Sequence, residues 1–163
     1  DAMKLIRSGA DKISINSAAL FDENLIHQIA HFLGKQAVVV NIEAKRHGNE
    51  WRALYNTGRD FSDYSVINWI KRINELPVGE ILLTSVDEDG RKNGFDLPLL
   101  KVVREHTDIS LLAHGGINSF ENLRNVVNYG AQGAVLASAL HYSSFNISDI
   151  KQKLSREGVR VRL

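Results

Sequence analysis

The chain has 163 residues, of which 44% are hydrophobic and 24% charged, a composition typical of one soluble globular unit. Twenty basic and nineteen acidic side chains leave a net charge of +1, so no overall field favours nucleic acid or an anionic membrane surface. The absence of cysteine excludes disulfides and thiolate metal sites and fits a cytoplasmic protein. No apolar run approaches the roughly 20 residues of a membrane span.

Five apolar runs of strand length recur along the chain, and each is followed by a polar loop and a stretch with helical periodicity. The predicted strands cover residues 12–16, 37–44, 80–85, 110–114 and 133–137. Residues 1–12 have the pattern of a helix that leads into the first strand, so the chain is expected to begin within a domain. Repeated strand–helix units predict a parallel α/β sheet, and three of the five strands are apolar on nearly every residue, as expected for strands buried on both faces.

Local signals predict where several of the intervening helices begin. Ser62 or Asp63 is expected to open the helix after the second strand, and Pro98 and Ser119 mark the first turns of the next two. Only residues 46–64, which are largely polar and include two glycines, are long enough to be a functional loop.

Two segments of the chain, residues 9–20 and 130–141, partly repeat each other. Both begin with Gly-Ala, and both place a serine after the strand, Ser17 in the first and Ser138 in the second. Their strands are the first and fifth of the predicted set. Because four strand–helix units make half a turn of an eight-stranded barrel, the two loops are expected to face each other across its mouth.

Small and polar residues follow three of the predicted strands. They are Asn16 and Ser17, Gly115 and Gly116, and Ala137 and Ser138. Glycine allows a ligand to approach the backbone closely, serine and asparagine add donors, and ligands of such barrels meet the C-terminal ends of the strands. Each loop alone is equally well an ordinary tight turn, but their joint placement predicts phosphate binding.

Two carboxylates are candidates for acid–base chemistry. Glu43 ends the second strand, where alternation directs it into the barrel mouth, and an acidic side chain there is costly unless it is paired or used. Asp89 lies in residues 84–96, a segment that we interpret as a catalytic loop. The alternatives are a salt bridge between Glu43 and a neighbouring lysine, and a solvated, charge-balanced loop at residues 84–96. His114 is the one histidine placed at a strand end, and no metal site is predicted.

A resemblance to a known family rests on five motifs in fixed order. They are SGADKISINSAAL, VVVNIEAKR, GEILLTSVDEDGRKNGFD, AHGGI and GAVLASALHY. Together they closely resemble consecutive segments of the cyclase subunit of imidazole glycerol phosphate synthase, the HisF family of histidine biosynthesis. The resemblance covers essentially the whole chain. It implies a single domain over residues 1–163 that forms strands 4 to 8, with their helices, of a partial TIM (βα)8 barrel.

The resemblance also implies an activity and a partner. A cyclase of this family is a lyase that takes ammonia from a glutaminase subunit through the barrel. It converts a bis-phosphorylated ribulosyl substrate to imidazole glycerol phosphate and aminoimidazole carboxamide ribotide. No cofactor is implied.

The matching positions assign expected roles to individual residues. Asn16 and Ser17 match one phosphate site. The other phosphate site is matched by Gly90, Gly116, Ala137 and Ser138, with Gly115 and His114 beside it. Thr84 and Asp89 match residues that line the active site. At the opposite end of the barrel, Asp11, Lys12 and Glu80 match the ammonia entrance facing the glutaminase, for which strand-start salt bridges are the structural alternative.

The sequence departs from the family pattern at three points. Glu43 stands where the family has its second catalytic aspartate, and His114 replaces the serine of the usual Ser-Gly-Gly. The first catalytic aspartate belongs to strand 1, outside this chain, so the chain alone is expected to be inactive.

Two alternative functions stay open on the sequence. One is a paralogue of the same fold that amidinates a nucleotide sugar for surface polysaccharide. The other is an inactive structural fragment, which would self-associate because its first and fifth strands would be open sheet edges.

Overall fold

The computed structural model describes residues 2–142 and 146–161. The strands are β1 (Ile13–Ile15), β2 (Val38–His47), β3 (Glu50–Tyr55), β4 (Asp60–Ser65), β5 (Glu80–Ser85), β6 (Ser110–His114) and β7 (Gly133–Val135). The helices are α1 (Ala2–Arg7), α2 (Ser17–Phe21), α3 (Asn24–Leu33), α4 (Val66–Ile73), α5 (Leu97–Arg104), α6 (Phe120–Asn128), α7 (Ser138–Tyr142) and α8 (Ile147–Arg156). A 3₁₀ turn (Lys35–Ala37) precedes β2. None of the described helices is long and apolar enough to cross a membrane.

Five of the strands are parallel neighbours in the order β1-β2-β5-β6-β7, which confirms the predicted parallel sheet. Helices follow these strands in the alternating pattern of βα units. Within the described residues the sheet does not close, because β1 pairs only with β2 and β7 only with β6. The fold is therefore an open α/β sheet consistent with a partial TIM barrel.

The predicted long loop at residues 46–64 is instead a β-hairpin of β2 and β3 that β4 extends as a third antiparallel strand, and the sequence analysis missed it. The C-terminal part of β2 pairs antiparallel with β3, and β3 pairs antiparallel with β4. Gly48 and Asn49 form a two-residue turn, and the φ of 61° at Gly48 is the positive value that glycine supplies in such turns. Arg46 stacks 4.2 Å above the ring of Trp51 and holds the two strands together.

The hairpin also moves the predicted start of the following helix. Ser62 and Asp63 both lie on β4, and the N-cap of α4 is Ser65, whose hydroxyl accepts a hydrogen bond from the N–H of Asn68. The other two signals are confirmed. Pro98 lies in the first turn of α5, and Ser119 is the N-cap of α6.

The hydrophobic core lies between the sheet and the helices packed on its outer face. Its largest fully buried side chains include Ile26, Ile42, Trp69, Ile70, Ile81, Leu83, Leu99, Leu100 and Leu111. Along β2 the buried Val40, Ile42 and Ala44 alternate with the half-buried Asn41 and Glu43. Because side chains alternate across a strand, Asn41 and Glu43 point to the opposite face. We call this the inner face, and it carries Asn41, Glu43, Thr84 and His114.

Candidate functional site

Three polar side chains form one layer at the C-terminal end of the inner face. Glu43 of β2 is in register with Thr84 of β5, and Thr84 is in register with His114 of β6. In a parallel sheet, residues in register point to the same face, and neighbouring strands lie about 4.8 Å apart. The layer therefore places a carboxylate, a hydroxyl and an imidazole side by side where barrels of this class bind ligands.

Glu43 is held by Asn16, which follows β1. The side-chain amide of Asn16 donates a hydrogen bond of 2.9 Å to Oε2 of Glu43. No salt bridge found among the described residues includes Glu43, so the predicted alternative of a bridge to a neighbouring lysine is wrong for this structure. Lys45, the nearest lysine in sequence, is exposed. A half-buried carboxylate with one amide donor and no countercharge is chemically available to a ligand.

Thr84 joins β2 to β6 through its hydroxyl. This side chain is 7% exposed, and its Oγ1 lies 3.1 Å from Oδ1 of Asn41 and 3.4 Å from Nδ1 of His114. Asn41 was not among the sequence candidates. The signal for it was available, because a polar residue two positions before Glu43 on an apolar strand must share its face.

Asp89 and Gly90 lie in an exposed turn after β5. The N–H of Asp89 donates to the carbonyl of Ser85 at 3.0 Å, and Gly90 has a φ of 76°. Among the described residues, no hydrogen bond joins the Asp89 carboxylate to Glu43. Asp87, two residues earlier, does have a defined partner, because its Oδ2 accepts a hydrogen bond of 2.7 Å from the N–H of Arg46 in the hairpin. A catalytic role for Asp89 stays a prediction.

The glycines after β6 are required by close packing against the loop after β5. Gly115 has a φ of 108°, and a Cβ there would lie 2.6 Å from the carbonyl oxygen of Ser85. Gly116 has a φ of 76°, and a Cβ there would collide with the carbonyl oxygen of Gly94, whose N–H donates to the Gly116 carbonyl at 2.9 Å. Any side chain would separate these loops. Phosphate binding at this point stays a prediction.

Of the loops that follow the two edge strands, the one after β1 is fully described and the one after β7 only in part. The hydroxyl of Ser17 accepts a hydrogen bond of 3.0 Å from the N–H of Asn56 in the turn between β3 and β4. Ala137 is exposed and directly precedes α7. Ser138 is the first residue of α7, and its side chain lies outside the described part of the structure. The proposed pairing of these loops as two phosphate sites is not tested by these contacts.

A second charged group lies at the N-terminal ends of the strands, opposite the ends that carry Glu43 and Thr84. Nζ of Lys12 lies 2.8 Å from Oε2 of Glu80, and the hydroxyl of Ser110 donates to Oε1 of Glu80 at 3.4 Å. Asp11 is exposed beside them. The strand-start salt bridge expected as the structural alternative is therefore present, and it lies at the far end of the sheet from Glu43.

Metal ligands are not grouped in the part of the chain that the structure describes. No three His, Asp or Glu side chains there lie close enough together to hold a metal ion.

Comparison with known proteins gives the family. The histidine biosynthesis protein family matches residues 1–146. The chain is similar to the imidazole glycerol phosphate synthase subunit HisF of Pyrococcus furiosus, with 41% identity over 163 residues that cover 100% of this chain and 65% of that protein. The HisF subunit of Exiguobacterium sibiricum is 41% identical over 162 residues, covering 99% of this chain and 65% of the relative. That of Dehalococcoides mccartyi strain BAV1 is 40% identical over 164 residues, with coverage of 100% and 65%.

The chain thus spans about 65% of the length of the curated relatives that it matches. The match runs through all five parallel strands and both edges of the sheet, so it includes the strand-end layer of Glu43, Thr84 and His114. The family match covers most of the chain, and the relatives named above are 40% or 41% identical to it. Both findings agree with the open α/β sheet of a partial barrel. The chain therefore belongs to the histidine biosynthesis protein family.

Proposed function

We propose that this chain is part of a cyclase subunit of imidazole glycerol phosphate synthase. The subunit uses ammonia to convert a bis-phosphorylated ribulosyl substrate to imidazole glycerol phosphate and aminoimidazole carboxamide ribotide. Support comes from the family match and from relatives that carry the synthase name. The observation that carries the proposal is the half-buried Glu43, which lies at the strand ends, is held by Asn16 and is in register with Thr84.

Glu43 is proposed as a general acid–base group of the reaction. Imidazole ring formation requires proton transfers to and from nitrogen and oxygen atoms, and a positioned carboxylate performs such transfers. The hydrogen bond from Asn16 engages Oε2 and fixes the orientation of the carboxylate, so Oε1 is the oxygen that we assign to the substrate. Thr84, one strand away, is proposed to line the same site.

The two phosphates of the substrate are proposed to bind beside the two edge strands of the parallel sheet, β1 and β7. Asn16 and Ser17 follow β1 at one edge, while Ala137 and Ser138 follow β7 at the other. Gly90 and Gly116 are proposed to complete the second site with backbone N–H groups. Donors at both edges suit a long substrate with a phosphate at each end.

A glutaminase is proposed as the partner that binds at the N-terminal ends of the strands. Asp11 and the pair of Lys12 and Glu80 lie there, and charged side chains at this position are suited to admitting a small polar molecule such as ammonia. The open edges of β1 and β7 are proposed to support self-association of the isolated chain. Sedimentation should then give a species larger than a monomer, and a purely monomeric species in dilute solution would contradict this part.

The experiment that tests the function uses a completed barrel. This chain is joined to the part of the P. furiosus relative that it does not cover, and the P. furiosus protein rejoined at the same junction is the control. The completed protein is expected to consume the ribulosyl substrate only when ammonia is present and to release both products. Turnover by the control without turnover by the completed protein would refute the proposed function.

A further inference from the structure

A hydrogen-bonded row crosses three strands of the inner face beside Glu43. Oγ1 of Thr84 contacts Oδ1 of Asn41 at 3.1 Å on one side and Nδ1 of His114 at 3.4 Å on the other. Thr84 is almost fully buried, whereas Asn41 and His114 are half-buried. His114 is therefore held from the sheet side and still reaches the open face.

The donors and acceptors of this row determine the tautomer of the imidazole. A threonine hydroxyl has one hydrogen to donate, and the Thr84 hydroxyl donates it to the carbonyl oxygen of Asn41, an atom that only accepts. The contact between Thr84 and His114 then needs its hydrogen from the ring. In the tautomer protonated on Nδ1 the ring of His114 supplies that hydrogen, and in the neutral ring Nε2 then has the free lone pair.

We propose that His114 is a second proton-accepting residue of this site and that Asn41, acting through Thr84, is the positioning residue that keeps its Nε2 unprotonated. The proposal rests on the proposed function and adds a group to it. His114 lies two strands from Glu43, a backbone separation of about 10 Å. A substrate bound between the two side chains would meet a carboxylate on one side and a neutral imidazole on the other.

The proton transfer involves one bond made and one bond broken. An N–H or O–H bond of the substrate breaks, its electron pair stays on the nitrogen or oxygen, and the proton forms a new bond to Nε2 of His114. The resulting imidazolium keeps its Nδ1–H donating to Thr84, so the row is not disturbed by the transfer. Return of the same proton to a later intermediate or to water restores the neutral ring.

Asn41 determines to which neighbour the hydroxyl of Thr84 donates its hydrogen, because the side-chain oxygen of Asn41 is an acceptor. Without an acceptor at position 41, the hydroxyl hydrogen of Thr84 is free to turn toward Nδ1 of His114. The ring then carries its proton on Nε2 and presents a donor where the wild type presents an acceptor. Asn41→Ala produces this situation, whereas Asn41→Asp retains an oxygen that accepts from Thr84 and cannot donate to it.

The first test reads the tautomer directly. Two-bond ¹⁵N–¹H spectra of His114 are recorded in the 163-residue chain and in the completed barrel, at a pH where the ring is neutral. The wild type and Asn41→Asp are expected to show the Nδ1–H tautomer, and Asn41→Ala the Nε2–H tautomer. A wild-type ring protonated on Nε2 would overturn the proposal without any variant, and so would a tautomer that Asn41→Ala leaves unchanged.

The second test separates proton acceptance from hydrogen bonding in the completed barrel. His114→Gln keeps an acceptor oxygen that cannot take the proton, and His114→Ala removes both properties. Both variants are expected to lower kcat about 100-fold or more, and Asn41→Ala to lower kcat more than Asn41→Asp does. Wild-type kcat in His114→Gln would refute the catalytic role. If the completed wild type does not turn over at all, the proposed function fails, while the tautomer spectra still decide the assignment of Asn41 and His114.

Discussion

Removal of the Asp96 carboxylate should destabilise the protein through two elements at once. Oδ1 of Asp96 accepts from the N–H of Leu99 and caps α5, and Oδ2 accepts a hydrogen bond of 2.8 Å from the indole N–H of Trp51 on β3. One side chain thus ties the hairpin to the first turn of α5. Asp96→Ala breaks both bonds, whereas Asp96→Asn keeps one acceptor for the cap and replaces the other with a donor.

The expected loss follows from these two contacts. Loss of an N-cap costs about 1 kcal/mol. Loss of a half-buried hydrogen bond to a carboxylate costs about 1.5 kcal/mol, the lower part of the range for charged partners. Asp96→Ala should therefore lower the free energy of unfolding by about 2.5 kcal/mol, and Asp96→Asn by about 1.5 kcal/mol. Trp51→Phe, which removes the indole donor, should cost about 1.5 kcal/mol.

Urea unfolding of the single and double variants measures the coupling. If the bond between Asp96 and Trp51 exists, the double variant Asp96→Asn with Trp51→Phe should cost much less than the sum of its single changes. The midpoints should shift while the slope of the free energy against urea stays constant. Additive losses within about 0.3 kcal/mol would refute the reasoning, because independent sites add to within that margin.

Three further predictions concern packing, pH and the partner. Gly115→Ala should cost about 3 kcal/mol in urea unfolding because of strain and a collision with backbone, while Gly9→Ala, at a similar φ of 99° in open space, should cost clearly less. The hydrogen bond from Arg72 lowers the pKa of Glu23 below its usual 4.5, so its small stabilising effect is present above pH 4.5 and lost as the pH falls through the lowered pKa. Glu23→Gln should flatten the acid limb of a stability–pH curve, and an unchanged limb would contradict this. In the completed barrel with a glutaminase, Glu80→Gln should reduce glutamine-dependent turnover more than turnover with free ammonia, and equal losses would contradict the entrance role.

The parallel sheet was predictable from the sequence because strand-length runs alternate with helical stretches and three of the five runs are apolar on nearly every residue. The direction of Glu43 followed from simple alternation, since its neighbours Ile42 and Ala44 are buried. Apolar runs and side-chain alternation can both be read from a short stretch of sequence. They predict which face a side chain occupies when one face of the strand is buried.

The hairpin was missed although a local signal for it existed. Gly48 and Asn49 are two consecutive turn-forming residues between β2 and β3, which is a two-residue turn signal. The polar character of residues 46–64 was interpreted instead as a functional loop. In the structure, side chains on the two strands pack on each other, as the guanidinium of Arg46 does on the ring of Trp51. Side chains of this kind cover apolar surface while they keep their charge in water.

The contacts of the candidate site could not be predicted from the sequence alone. Asn41 and Thr84 are 43 residues apart, and their contact depends on the register between β2 and β5. Likewise, the amide of Asn16 reaches Glu43 only because β1 ends beside β2. Sequence patterns give the face of each side chain, but strand register decides which side chains meet.

The central claim is that Glu43 transfers protons in an ammonia-dependent cyclase reaction. The most direct measurement compares kcat for ammonia-dependent loss of the ribulosyl substrate in the completed barrel with Glu43, Glu43→Gln and Glu43→Asp. The account predicts turnover with Glu43 and a loss of about 100-fold or more in Glu43→Gln, because the amide keeps the shape of the side chain but cannot take a proton. Turnover by the Glu43→Asp form alone, or equal turnover with Gln and Glu, would contradict it.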